Sequence, residues 1–370
     1  MIQGLYVHIP FCRSICTYCD FPKTVASASA RADYVRAIAT ELSASRSDLA
    51  DVETVYIGGG TPSMLAPDDL EAVLLAVEAA VDVGRLKEYT IEANPGDVDR
   101  DFVRLIRAHG IDRVSLGVQS GHSRLLALMG RTHTKADVER AVATFHEQRF
   151  YNLNLDFIHS LPTETVAELE EDLDFACRLQ PTHLSFYTLI LEPKTILWYE
   201  KKEGRLVLPD EETEARMFET VLRVLPERGY RRYEVSNFAI GGFESRHNLL
   251  YWNAREYLGV GMAAHSQASG RRFHNAPTYA KYLAAVRSTG FGGRIEDPCD
   301  LLQEACVMGL RKASGIDRGD IWRRFQTDVV RRYPRLLQNE TEGLVAIDDR
   351  SVRLTDRGLI VMNYVERSFV

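Results

Sequence analysis

Six short runs of β-branched and aromatic residues recur in the first half of the chain: LYVHI at 5–9, TVYIG at 54–58, YTIEA at 89–93, RVSLGV at 113–118, LNLDFI at 153–158 and HLSFYTL at 183–189. Short apolar runs bounded by turn residues predict buried strands. Between them lie longer segments of helical period, ADYVRAIATELSAS, PDDLEAVLLAVEAAV, DFVRLIRAHG, KADVERAVATFHEQ and VAELEEDLDFACRLQ. Pro67 with Asp68 and Asp69 marks one helix entry, and Gly110 one exit. Strands separated by helices of this length pair in parallel through crossovers. The predicted fold class is therefore α/β, a full or partial βα barrel, whose chemistry sits at the carboxyl ends of its strands.

The alternation breaks near residue 190. DEETEARMFETVLRVLPERG predicts one further helix, followed by YEVSNFA, a glycine-rich bend and RHNLLYWNAREYLGVGMAAHS. After EDP at 296–298, helices lead into GLVAIDDRSVRLTDRG, two strands around a charged turn, which suggests a small α+β, winged-helix-like tail. The chain of 370 residues is thus expected to hold two units, 1–290 and 291–370. From 295 to 370 there are 12 Lys and Arg against 13 Asp and Glu, and the whole chain carries a formal charge of −7. A nucleic-acid partner, which needs a basic face, is not expected. The start MIQGLYVHI has no secretory pattern, no apolar run is long enough for a bilayer, and Cys177, Cys299 and Cys306 are scattered as packed residues are. A reducing cytoplasm fits best.

Half of the six cysteines fall in one stretch, HIPFCRSICTYCDF at 8–21. Random placement would produce their CxxxCxxC spacing only on the order of twice in a thousand such chains. A structural zinc site wants four nitrogen or sulfur ligands, so His8 would have to join Cys12, Cys16 and Cys19. A 4Fe-4S cluster held by three thiolates instead leaves one iron open to an exchangeable ligand. The three glycines at 58–60 follow the second strand, where absent Cβ atoms permit a close approach. Glu92, Gln119 and Asp156 each stand near a strand end and would converge on the upper mouth of a barrel.

CxxxCxxC after a first strand, with GGGTP after the second, resembles the radical S-adenosylmethionine (radical SAM) superfamily. The resemblance implies a 4Fe-4S cluster on Cys12, Cys16 and Cys19, with the amino and carboxylate groups of S-adenosyl-L-methionine (SAM) on the open iron. It further implies reductive cleavage of the sulfonium to a 5'-deoxyadenosyl radical, or cofactor binding alone in members that have lost that step. EANP, SLGVQS, GRTH and NLDFIHSLP are similar to the porphyrin-related branch of oxygen-independent coproporphyrinogen III oxidases and heme chaperones. By match to its motifs, Tyr6, Gly59, Gly60, Thr61, Glu92, Gln119, Arg131 and Asp156 would contact SAM, and Tyr18 would offer an aromatic face near the adenine.

Within that branch the oxidases carry a further cysteine, CxxxCxxCxC, where this chain has Phe21, and a long extension before the motif, where eleven residues precede Cys12. The chaperones share HNxxYW, here His247, Asn248, Tyr251 and Trp252, and a tail segment similar to EACVMGLRKASGI. The resemblance to the HemW family of heme chaperones covers nearly the whole chain. It implies heme bound near His247 and passed to acceptor apoproteins such as respiratory cytochromes. Without the family, His247 reads as a hydrogen-bonded core histidine. Many chaperones have a cysteine two residues before that histidine; this chain has Ser245. The oxidase is the alternative, and a radical SAM methyltransferase or heme-ring-opening enzyme a third class. A homodimer stays open, as does a peripheral membrane contact through the arginine-rich tail helix, which reads first as a solvated face.

Overall fold

The computed structural model describes residues 1–369. Six strands, β1 (Gly4–Ile9), β2 (Thr54–Gly59), β3 (Glu88–Ala93), β4 (Arg113–Gln119), β5 (Leu153–His159) and β6 (His183–Thr188), pair in parallel in sequence order. Their predicted positions hold to within a residue. Between them run α1 (Ala28–Ala44), α2 (Pro67–Ala80), α3 (Arg100–Ala108), α4 (Ser123–Leu128), α5 (Lys135–Glu147) and α6 (Val166–Arg178). Thr134 and Thr165 open α5 and α6 with reciprocal capping boxes to Asp137 and Glu168, each pair satisfying two otherwise orphaned amides. Strands β1 and β6 do not pair with each other, so the barrel is partial.

Alternation along each strand divides the chain's chemistry. Leu5, Val7 and Ile9, Val55 and Ile57, Tyr89 and Ile91, Val114 and Leu116, Leu155 and Phe157 join the helices in one hydrophobic core. The opposite phase points into the barrel and is mostly polar: Thr54 and Tyr56; Glu88, Thr90 and Glu92; Arg113 and Ser115; Asn154 and Asp156; His183 and Ser185. These groups answer one another. Asn154 donates to Ser115 at 2.7 Å and to Asp156 at 2.8 Å, and its carbonyl oxygen pairs with His183 at 2.6 Å.

Beyond β6 come α7 (Ile196–Lys202), α8 (Glu211–Glu227), β7 (Arg231–Arg232) and β8 (Asn237–Ala239), the last antiparallel to β6. Helix α9 (Arg246–Trp252) then closes the amino-terminal end of the barrel. The Glu88 carboxylate, only 4% exposed, accepts from Ser245 Oγ at 3.1 Å, Arg246 N at 2.7 Å and His247 N at 3.1 Å. Gly4 allows the close fit, since a Cβ there would lie 3.2 Å from Leu250 and 3.3 Å from His247. After α9, β9 (Tyr257–Val260) pairs in parallel with β1. β10 (His265–Ala268), β11 (Arg271–His274) and β12 (Ile295–Asp297) extend the sheet antiparallel, with α10 (Tyr279–Thr289) packed on α1.

The tail builds a separate hydrophobic cluster around Cys306, Leu310, Ile321, Leu336 and Val352. It contains α11 (Leu301–Leu310), β13 (Ile316–Asp317), α12 (Arg318–Phe325) and the antiparallel strands β14 (Val345–Ile347) and β15 (Ser351–Leu354), in sheet order β13-β15-β14. It docks on the end of α9: Arg324 donates to the carbonyls of Asn253 and Ala254, Arg255 pairs with Asp320 at 2.9 Å, and Arg311 lies over the Trp252 ring. Among the described residues no helix is long and apolar enough to cross a membrane.

Glu88→Ala strips four donors, Ser245 Oγ, Arg246 N, His247 N and Thr90 Oγ1, of their buried acceptor and is expected to destabilise the fold by about 3 kcal/mol. Arg100→Ala, which breaks an exposed pair with Glu147, should cost less than about 0.5 kcal/mol. Urea unfolding midpoints compare the two, and equal shifts would contradict this account of the barrel floor.

Candidate cofactor site

A cavity of about 830 Å³ opens at the carboxyl ends of the barrel strands. The loop after β1 brings Cys12, Cys16 and Cys19 to its wall. That loop is pinned at several points: Cys12 N donates to Thr24 O at 3.1 Å, Thr24 N to Pro10 O at 2.7 Å, Thr17 N to Met129 O at 3.1 Å and Thr17 Oγ1 to Leu128 O at 2.9 Å. Burial raises the thiol pKa of Cys12 and of Cys19, so metal binding there must displace protons. Thr61 Oγ1 stands 3.9 Å from Cys12 Sγ, and an Arg131 guanidinium nitrogen 3.7 Å from Cys16 Sγ.

The donor set fits a cluster better than a single ion. His8, which a zinc site would require, is buried with both ring nitrogens engaged, Nε2 on Pro22 O at 2.8 Å and Nδ1 on the Tyr6 hydroxyl at 2.9 Å. A carbonyl can only accept, so Nε2 carries the proton and Nδ1 accepts from Tyr6. Among the described residues, no three His, Cys, Asp or Glu side chains are gathered around one point as a single ion demands. A cubane cluster places each thiolate on a different iron, which suits separate thiols on one wall. The buried Arg131 guanidinium supplies positive charge beside them, and its Nε has no partner among the described residues.

Gly59, Gly60 and Thr61 line the cavity where β2 ends. The glycines are demanded by protein neighbours as much as by any ligand. Gly59 has φ +117°, and a Cβ there would fall 2.4 Å from the His8 ring; at Gly60 it would fall 2.6 Å from Phe11 O. Glu92 accepts from Gly59 N at 2.9 Å and Tyr56 OH at 2.8 Å, and burial raises its pKa to about 7. Asp156 accepts from Ser115 Oγ at 2.7 Å and from Asn154; burial raises its pKa too. Gln119 sits at φ +68°, beside an irregularity in the β4–β5 register. Arg131 bridges Asn94 Oδ1 at 2.9 Å and Gly117 O at 2.7 Å, tying the cavity wall to β4. Tyr18 lines the same space and packs against the cluster of Leu125, Leu126, Met129, Ile158 and Leu161.

Eleven of the thirteen expected site residues thus meet in one cavity; Tyr6 and His247 do not. Tyr6 faces the barrel interior beneath the cavity, its hydroxyl on His8 and its ring against Tyr56. His247, expected near heme, lies away from this cavity. Its side chain is fully buried at the opposite end of the barrel, Nδ1 lies 2.8 Å from Thr54 Oγ1, and Nε2 lies 2.8 Å from Tyr251 OH. Burial lowers its pKa to about 3, so the ring is neutral and neither nitrogen is open to iron. Ser245, where many chaperones have cysteine, N-caps α9 by accepting from Asn248 N. Sequence reasoning missed Tyr56, Asn94, Ser115 and His133, which also line the cavity. Tyr56 and Ser115 share the strand phase of Glu92 and Asp156, a signal that was available. His133 donates from Nε2 to Val118 O at 2.9 Å, leaving Nδ1 without a protein partner.

The radical SAM superfamily model matches residues 6–176, and the HemN C-terminal domain model matches residues 297–361. The chain is 34% identical over 370 residues to the heme chaperone HemW of Lactococcus lactis, covering 100% of this chain and 97% of that one. It is 33% identical over 376 residues to HemW of Bacillus subtilis, with coverage of 100% and 99%, and 37% identical over 273 residues to HemW of Escherichia coli, with coverage of 72% and 70%. Among solved structures it resembles the coproporphyrinogen III oxidase HemN of Escherichia coli with a TM-score of 0.84 and 21% identity, over 100% of this chain and 90% of that one. That likeness bears on the fold alone.

The raised pKa of Glu92 gives a signed pH effect. The folded carboxyl keeps its proton up to about pH 7, whereas the unfolded chain releases it near 4.5. Stability contributed by this group is therefore lost as pH rises from 4.5 to 7. The loss is about 2 kcal/mol, below the full linkage value because the carboxyl faces the cavity. In ligand-free protein, Glu92→Gln should flatten the fall in urea midpoint between pH 4.5 and 7.5; a parallel fall in variant and native protein would refute the assignment.

Proposed function

Because the chain belongs to the HemW family of heme chaperones within the radical SAM superfamily, we propose that it binds heme and passes it to heme-requiring apoproteins. The observation that carries this reading is similarity along the whole chain to proteins named heme chaperones. The cysteine loop agrees with it: Phe21 occupies the position of the oxidase's additional cysteine, lines the cavity and is 63% exposed.

In this reading Cys12, Cys16 and Cys19 hold the 4Fe-4S cluster, and Arg131 offsets the negative charge of the thiolates. When bound, the cluster would supply an exchangeable ligand position for SAM and an electron for reductive chemistry at its sulfonium. Gly59, Gly60 and Thr61 receive the amino acid end of SAM. Glu92, Gln119 and Asp156 offer oxygen acceptors to the ribose hydroxyls and the ammonium, and Tyr18 an aromatic face. Phe21, Ile158, Leu189 and Ile190 give the cavity an apolar side against which a porphyrin face can pack. His247 serves from below by holding α9 in the barrel floor. Among the described residues all six cysteines are free, which suits a reducing cytoplasm.

Anaerobic reconstitution followed by iron and sulfide analysis should give a cluster in the native chain and little or none in Cys16→Ala. The reconstituted protein should take up heme in a saturable titration and leave coproporphyrinogen III unchanged. Decarboxylation to protoporphyrinogen without heme uptake would move the assignment to the oxidase.

A further inference from the structure

Two sequence motifs find no role in the cofactor cavity, the residues following HNxxYW and the tail segment GLRKASGI. In the fold they meet. Asn253 and Arg255, just past α9, and Lys312 and Ser314, between α11 and β13, line a second cleft of about 410 Å³ between barrel and tail, with Arg323 and Arg350. Its volume lies within the range of small-molecule sites.

The charge balance of this cleft is uneven. Four cations line it against two carboxylates, Asp317 and Asp320, a surplus of two positive charges. Asp317 caps α12 by accepting from Asp320 N at 2.8 Å. Asp320 is shared by Arg255 at 2.9 Å, Arg324 at 3.3 Å and Arg323 at 3.4 Å. The Lys312 ammonium has three protons to donate, and its side-chain acceptor is Asn253 Oδ1, a neutral amide at 2.6 Å. Among the described residues the Ser314 hydroxyl and the Arg350 guanidinium have no side-chain partner in the protein. The turn carrying Lys312 is held in place: Gly315 N donates to Lys312 O at 2.9 Å, Ala313 N donates to Tyr233 O at 2.9 Å, and a Cβ at Gly315 would strike Val352 O at 2.2 Å. Surplus cations and free hydroxyl and guanidinium donors on a fixed concave wall are the requirements of oxyanion recognition.

We propose that this cleft is a binding site for a compact multivalent oxyanion, phosphate or carboxylate, held between Lys312, Arg350 and Ser314. Such a ligand bridges the tail to the end of α9, the helix that closes the barrel floor. The site is separate from the cofactor cavity, and its occupancy does not depend on the heme reading.

The test uses the full-length protein at low salt with two probes, inorganic pyrophosphate and citrate, in isothermal titration. One-to-one binding of either probe is expected, weakened about tenfold or more by Lys312→Met and by Arg350→Ala, since each removes a charge-assisted bond. Pyrophosphate binding alone identifies a phosphate ligand, and citrate binding alone a polycarboxylate. Neither probe binding, or both variants binding like the native chain, overturns the site. Arg350 lies on an exposed turn, so its variant decides the matter even if Lys312→Met does not fold.

Discussion

The carboxylate of Glu88, buried at the amino-terminal end of β3, is the contact on which the rest of this barrel depends. A βα barrel with a polar interior must supply partners for every inward group, because no water-filled exterior is within reach. Glu88 meets its own need by accepting from the first turn of α9, where backbone amides lack helical partners. One interaction thereby ends the barrel, starts the closing helix and seats the surface on which the tail docks. Arg113, inward on the neighbouring strand, lies under the same influence. Burial alone would pull its pKa down, and Glu88, together with Tyr233, Tyr56 and Asp156, outweighs that.

The interior changes character along the barrel axis. At the floor, Thr54, Glu88, Asn154, His183 and His247 are held by hydrogen bonds, while the buried Arg113 Nε has no partner among the described residues. At the mouth, Glu92, Asp156 and Arg131 retain unused acceptor or donor capacity facing the cavity, and Arg131 Nε has no partner among the described residues. Two engaged ring nitrogens separate a structural histidine such as His247 from the groups that face the cavity with capacity to spare. The cysteine loop reaches that surplus region because hydrogen bonds to Leu128, Met129 and Thr24 hold it over the strand ends.

Much of this was legible from residues alone. The strands stood out because each is apolar on the helix-facing phase and bounded by helical segments. The cluster cysteines stood out because their spacing is improbable and their number leaves a ligand position open. Glu92 and Gln119 could be placed together because they stand at the carboxyl ends of parallel strands, and Asp156, at the middle of β5, joins them through its inward phase. His247 could not, since nothing in HNxxYW indicates which end of the barrel the motif caps. Tyr6 shares the inward phase of true cavity residues and the register of Tyr56, but its hydroxyl is taken up by His8 and it does not line the cavity.

What the sequence determined by itself was therefore local and periodic: the alternation that makes a parallel βα barrel, the three thiols in one loop, and the family those motifs belong to. Only the tertiary structure decided which polar residues remain free. Whether an imidazole is spent on Thr54 and Tyr251, or a lysine is left facing a cleft, depends on contacts between segments up to 193 residues apart in the chain. Hydrogen-bond capacity is exhausted by whichever partners the fold brings near, and no local pattern records that.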